Sequence, residues 1–177
     1  MQDPETIYVQ QVQAGDDDAF NELLRRYQKP VLNFAYRLLG DATEAEDVAQ
    51  ETFVRAYRHI GDYDSRQKFS TWLFAIAHHA CLDHLRSRKR RPEISLENAP
   101  DPSITSREVE RNEMGMLIAA AVAKLPEDQR TALVLAEYHG MSYAEIAAVM
   151  RCSEKSVESR LYRAKQTLRG RLRPLLA

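Results

Sequence analysis

The chain has 177 residues, 44% of them hydrophobic and 29% charged, with a formal net charge of −1. That is enough for one ordinary domain or two of roughly 60–90 residues, and too little for a TIM barrel or a comfortable two-half dinucleotide-binding enzyme. Six glycines argue against a phosphate-cradling loop and a turn-rich all-β fold, and two cysteines, Cys81 and Cys152, make neither a disulfide framework nor a zinc site.

No apolar run reaches 18 residues, so no membrane insertion is expected. The start, MQDPETIYVQQ, lacks the basic and apolar stretches of a signal peptide, and a cytoplasmic location is expected. The charge is distributed in blocks. Residues 1–65 carry a net of −7, 66–91 carry +6, 92–113 carry −4, 114–148 carry −2 and 149–177 carry +6. Two basic patches on two separate helical stretches suggest two contacts with a polyanion.

Apolar residues at Phe20, Leu23, Leu24, Tyr27, Val31, Phe34, Ala35 and Leu38 mark one face of a long helix. Pro30 is expected to bend or split it, and Gly40 to stop it. Asp41 with Glu44 resembles a capping box for a second helix, whose inner face is Ala45, Val48, Ala49, Thr52, Phe53, Ala56 and Ile60. After a polar loop at 62–69, Ser70 is expected to cap a helix to about Arg90, with a core stripe of Leu73, Ile76, Ala77, Ala80 and His84. Pro92 ends it. Residues 92–106, PEISLENAPDPSITS, hold three prolines and no periodicity and read as a linker.

A second helical unit follows. One helix is expected from about Ser106 to Lys124 and another from Pro126 to about Tyr138, broken at Gly140. Ser142 and Glu145 form a capping box before Ile146, and Ser153 caps a last helix to about Leu172. No strand and no internal repeat is expected.

Three groups of residues point to function. A short capped helix, a turn and a longer basic helix form a helix-turn-helix pattern, locked by Ile146, Ala147, Val157 and Leu161. Lys155, Ser156, Ser159, Arg160, Tyr162 and Arg163 then point outward, with types suited to bases and phosphates. The helix after Ser70 begins with Phe69, Trp72 and Phe74 and ends in Arg86, Arg88, Lys89, Arg90 and Arg91. Aromatics beside a cationic tail suit unstacked bases next to a phosphate track, although basic residues also stabilise a helix C-terminus. Asp47, Gln50 and Glu51, with Glu44 nearby, share a helix face that suits docking of a basic partner better than catalysis, and no catalytic residue is assigned. His78, His79, Cys81 and His84 fit packing better than a metal site, and neither a metal nor a cofactor is expected.

In this order the segments AGDDDAFNELLRRY, DATEAEDVAQETFVRAY, KFSTWLFAIAHHACLDHLR, LPEDQRTALVL and GMSYAEIAAVMRCSEKSVESRLYRAK resemble an extracytoplasmic-function (ECF) sigma factor of bacterial RNA polymerase, over residues 14–172. The resemblance implies an all-α chain of two small helical domains joined by a flexible linker, the second containing the helix-turn-helix. Residues 1–91 would dock on core RNA polymerase and open the −10 element, 92–108 would be the linker, and 109–177 would read the −35 element. Asp47, Gln50 and Glu51 match the family's docking motif, with Arg55 beside them. Lys68, Phe69, Trp72, His79, Arg86, Arg88 and Lys89 are the implied −10 contacts. Lys155, Ser156, Glu158, Ser159, Arg160, Tyr162, Arg163 and Lys165 are the implied −35 contacts.

Two residues depart from the family's usual pattern: His79 where a base-pocket Asn is frequent, and Glu158 where Arg or Lys is frequent. Both bear on which promoter is read, because a carboxylate repels phosphate but accepts from cytosine N4. The chain ends soon after the recognition helix, so control by a separate anti-sigma protein is expected. The other reading is an autonomous helix-turn-helix regulator that binds duplex DNA without polymerase. It leaves the acidic face unexplained.

Overall fold

The computed structural model describes residues 3–91 and 113–175. Among them are eight α-helices and no strand: α1 (Thr6–Gln13), α2 (Asp17–Leu39), α3 (Ala42–His59), α4 (Phe69–Arg90), α5 (Glu113–Ala123), α6 (Glu127–Glu137), α7 (Tyr143–Met150) and α8 (Glu154–Leu172). The expected linker and the expected helical start at Ser106 lie outside the described residues.

Local chemistry sets most of the boundaries. Asp16 caps α2 by accepting from the Asp18 N–H, and Asp41 caps α3 by accepting from the Glu44 N–H at 2.9 Å. Gly40 and Gly140 end their helices in the left-handed region, where a Cβ would be strained. Two expectations are corrected, and one helix was not foreseen. Pro30 does not split α2, which runs unbroken because Leu23, Val31, Phe34, Ala35 and Leu38 all bury on one side of it. The cap of α4 is not Ser70: the helix starts at Phe69, and its N-cap, Lys68, offers no side-chain acceptor. Helix α1 had no signature in the sequence, since eight residues with three buried positions are too short for a period to show.

Helices α2, α3 and α4 pack round a core of Leu23, Val31, Phe34, Leu38, Ala45, Leu73, Phe74 and Ala77, with α1 laid across α2. Phe34 is fully buried and meets Phe74 edge-on at 5.3 Å. Truncating Phe34 to Ala removes this contact and leaves a cavity. A loss of about 3–5 kcal/mol in unfolding free energy is expected, read as a lower urea midpoint with an unchanged slope.

Helices α5 to α8 form a second helical cluster round Val122, Leu125, Val134, Leu135, Ile146, Val157, Leu161 and Ala164, whose buried residues are continuous with those of the first. The two clusters touch along α4–α7 and α2–α6. In that seam His139 inserts between Phe34 (5.9 Å) and Phe74 (4.7 Å). The Arg37 guanidinium lies 3.7 Å from the centre of the Tyr138 ring, and Lys68 Nζ meets Glu145 Oε1 at 2.7 Å.

Candidate nucleic-acid and docking interfaces

Helices α7 and α8 form a helix-turn-helix fixed at both N-termini. Ser142 and Glu145 bond reciprocally across the first turn of α7, and Ser153 Oγ accepts from the Ser156 N–H at 3.1 Å. Between them Arg151 takes the left-handed conformation (φ 51°) usually left to glycine. Ile146, Ala147, Val157 and Leu161 are buried between the helices, which fixes how α8 is presented. Lys155, Glu158, Ser159, Tyr162 and Arg163 stand exposed on α8, Tyr162 at 66%. Ser156 is half-buried and bonds Ser153.

Two of the basic residues expected in this group are paired with carboxylates of α6. Arg160 Nε meets Asp128 Oδ2 at 3.3 Å, and its Nη1 reaches Cys152 Sγ at 3.3 Å. Lys165 Nζ meets Glu137 Oε1 at 2.9 Å, which holds its ammonium above the ordinary lysine range. Arg160 thus ties α8 to α6 and to the turn, a packing role that helical spacing does not distinguish from an outward one.

On α4, His79, Arg86 and Lys89 are exposed and Trp72 is half-buried. His79 Nε2 lies 3.8 Å from Asp83 Oδ1, and Arg86 Nη1 lies 4.0 Å from the same oxygen. Phe69 is corrected from a contact to a support: its ring is fully buried among Tyr27, Tyr63 and Trp72, at centroid distances of 5.4, 5.9 and 5.7 Å. Arg88 is likewise bound inside the fold, paired with Glu44 and donating to the Leu39 carbonyl at 3.3 Å. Lys68 is exposed but held by Glu145, which keeps it above the usual lysine range. A cleft of about 370 Å³ runs beside this face, lined by Arg55, His59, Trp72, Ile76, His79 and Arg151.

On α3, Asp47, Gln50 and Glu51 share an exposed face. Arg55 is bonded by Glu51 Oε1 at 2.7 Å and Asp83 Oδ2 at 3.2 Å, so it bridges α3 to α4 and is held above its ordinary range by those two carboxylates. Next to the acidic face opens a groove of about 670 Å³ between α2 and α3, with Leu24, Gln28, Leu32, Gln50, Phe53 and Val54 among its walls. By sequence Leu24 and Phe53 read as core-face residues and Gln50 as a docking residue, while Leu32 and Val54 are not singled out. The signal for Val54 was its position outside the core stripe of its helix, where it stands 44% exposed.

The histidines divide. His84 meets Glu44 at 3.3 Å, while His78 is buried and Cys81 is fully buried with its thiol pushed up to about 12. Among the described residues no group of three His, Cys, Asp or Glu side chains could hold a metal ion, and no helix is long and apolar enough to cross a membrane.

Two helical clusters, one carrying a helix-turn-helix and the other an aromatic–basic helix beside an acidic face, define a two-module nucleic-acid-binding architecture. Residues 23–91 match Sigma-70 region 2, and residues 115–168 match Sigma-70, region 4. The RNA polymerase sigma-H factor of Pseudomonas aeruginosa is 38% identical over 99% of this chain and 97% of its own length. The ECF RNA polymerase sigma factor SigW of Bacillus subtilis is 34% identical over 94% of this chain and 96% of its own. A solved structure of CnrH in complex with the cytosolic domain of CnrY superposes with a TM-score of 0.73 at 30% identity, covering 97% of this chain and 99% of that one. The sigma factor RpoE of Bartonella quintana, bound to the anti-sigma factor NepR, shares the fold at a TM-score of 0.75 and 24% identity, over 87% of this chain and 96% of that one. The chain belongs to the sigma-70 family, in its extracytoplasmic-function branch.

Proposed function

We propose that this sigma factor docks on core RNA polymerase through the acidic face and groove of α2–α3, reads and opens the −10 element with α4, and reads the −35 element with α8. Binding energy does the work, and no catalytic group takes part. The observation that carries the reading is the exposed polar face of α8 behind a doubly capped helix-turn-helix, in the same chain as a second cationic helix. Lys155, Ser159, Tyr162 and Arg163 meet the −35 duplex, and Glu158 sets which base pair is accepted. On α4, Lys68, Trp72 and His79 meet the opened strand, and Arg86 and Lys89 hold upstream phosphates. The protein acts in the cytoplasm, where its polymerase and promoters are.

The two DNA elements lie about 25 base pairs apart, about 85 Å along B-form DNA at 3.4 Å per pair. Two readers packed along α4–α7 cannot span that distance. The closed arrangement is therefore the unengaged form, in which Glu145 occupies Lys68. Control falls to a separate anti-sigma protein, a reading in keeping with the RpoE complex, whose partner NepR is an anti-sigma factor.

The test is run-off transcription with core RNA polymerase and a promoter library. Transcripts that require the protein support the reading. Their absence, with tight duplex binding by the protein alone, would show an autonomous regulator instead. Arg163→Ala is expected to weaken −35 duplex binding and to reduce the salt slope of binding by about 0.9, as for one lost phosphate contact. Arg160→Ala is expected instead to lower the melting temperature, because its partners are Asp128 and Cys152.

A further inference from the structure

We infer that Asp3 and Gln13 are positioning residues for promoter opening: they clamp the two ends of the loop at 61–68 and so fix the first turn of α4 against the −10 strand. The inference rests on the proposed role of α4.

The start of α4 needs an outside cap. The Lys68 side chain cannot accept a hydrogen bond, and the first turn of the helix contains no acidic residue. The acceptor comes from 66 residues away: Asp3 Oδ2 takes the Phe69 N–H at 2.6 Å. A carboxylate there satisfies an orphan donor and also faces the positive end of the helix dipole. Burial would raise the Asp3 carboxyl, but hydrogen bonds from the Glu5 and Phe69 side hold it below its ordinary value.

The other end of the loop is held from the same segment. Gln13 Nε2 donates to the Ile60 carbonyl at 2.8 Å, across 47 residues. Asp3 precedes α1 and Gln13 ends it, and the position of α1 is itself secured. Val9 and Val12 are buried, the Asp3 carbonyl accepts from the Thr6 N–H at 2.9 Å, and Arg26 lies 5.0 Å from the centre of the Tyr8 ring. Both clamps act on backbone atoms, so they hold the loop in place without constraining its side chains.

Within the clamped span, the Tyr63 hydroxyl donates to the Gln67 carbonyl at 2.6 Å and Arg66 Nε meets Asp64 Oδ2 at 2.7 Å. Phe69 anchors the far end among Tyr27, Tyr63 and Trp72. Ser65, Arg66, Gln67 and Lys68 remain exposed on this frame. Opening a base pair is unfavourable by a few kcal/mol and must be offset by stacking and contacts in a defined geometry. A loop with free ends would have to be ordered at that step.

The experiment uses holoenzyme reconstituted from core polymerase and the full chain, transcribing a library randomised at both promoter elements. Asp3→Ala with Gln13→Ala is expected to reduce −10 sequence preference about fivefold, the scale of a lost helix cap. Preference at −35 and affinity for core polymerase stay within about twofold. Asp3→Asn, which keeps an acceptor oxygen, recovers part of the loss, and the Phe69 amide exchanges faster in Asp3→Ala. Gln13 is exposed, so Gln13→Ala alone serves if the double variant is unstable. Unchanged −10 preference, or a parallel fall of every readout with melting temperature, overturns the inference. Lys68→Ala and Trp72→Ala are run alongside. If they alone lose −10 preference, the role of α4 stands and the clamp is wrong; if they too keep it, both fail.

Discussion

Asp47→Lys is expected to weaken binding to core RNA polymerase by about 30-fold or more and to abolish promoter-dependent transcription, while the melting temperature moves little. Asp47 is exposed on α3 and has no part in the core. The reversal removes an attractive charge from the docking face and places a repulsive one against a basic partner. Breaking a close charge pair at an interface costs about 2–5 kcal/mol, which corresponds to about 30-fold or more. The neighbouring groove supplies the apolar part of the same surface. Val54→Glu should therefore weaken docking through desolvation, without altering the −35 contacts of α8. Titration of labelled core polymerase checks both variants. Wild-type affinity in Asp47→Lys would exclude this face as the docking site.

Acidification is expected to separate the two halves before it unfolds them. His139 and His78 both lie in the seam, and burial pushes both down to about 4. His139 sits between Phe34 and Phe74, its Nε2 buried without a partner, and the Arg37 charge adds to its depression. Burial is also the larger cause at His78. The Val149 carbonyl across the seam partly offsets it, and the nearby charges of His79 and Arg160 add to it.

In the separated form each ring returns toward the ordinary 6.5. Above pH 6.5 both forms hold neutral rings and closure carries no penalty. Between pH 6.5 and 4 the open form binds protons that the closed form refuses, so closure weakens as pH falls. At pH 5.5 this is about tenfold per ring, or about 100-fold for the two together. The Lys68–Glu145 pair does not confuse the result. Burial would raise the Glu145 carboxyl, but bonds from Lys68 and Ser142 hold it below its ordinary value. Its contribution is present above the carboxylate range and lost only below it.

Energy transfer between dyes on exposed Arg58 and Gln166 would follow the opening. His139→Phe, which suits the aromatic pocket, should remove about tenfold of the pH effect. A constant inter-dye distance down to the pH of global unfolding would exclude the seam as the sensitive element.

What was legible in the sequence was what neighbours in the chain decide. Apolar spacing placed α2, α3 and α4, Ser142 and Ser153 marked the starts of α7 and α8, and Gly40 and Gly140 marked ends, because periodicity, capping and left-handed turns act over a few residues. The order of those segments also carried the family. The tertiary structure alone decided which charged residues are paired with carboxylates of the same chain. Arg55, Arg88, Arg160 and Lys165 look outward by helical spacing, yet each meets a carboxylate, three of them on another helix and Arg55 on its own helix and the next. Phe69 likewise looks like a stacking platform in sequence, but three aromatic rings from distant positions enclose it. Asp3 and His139 gave no local signal at all. Their partners, Phe69 in one case and Phe34 with Phe74 in the other, lie scores of residues away, and chain folding alone brings such groups within bonding distance.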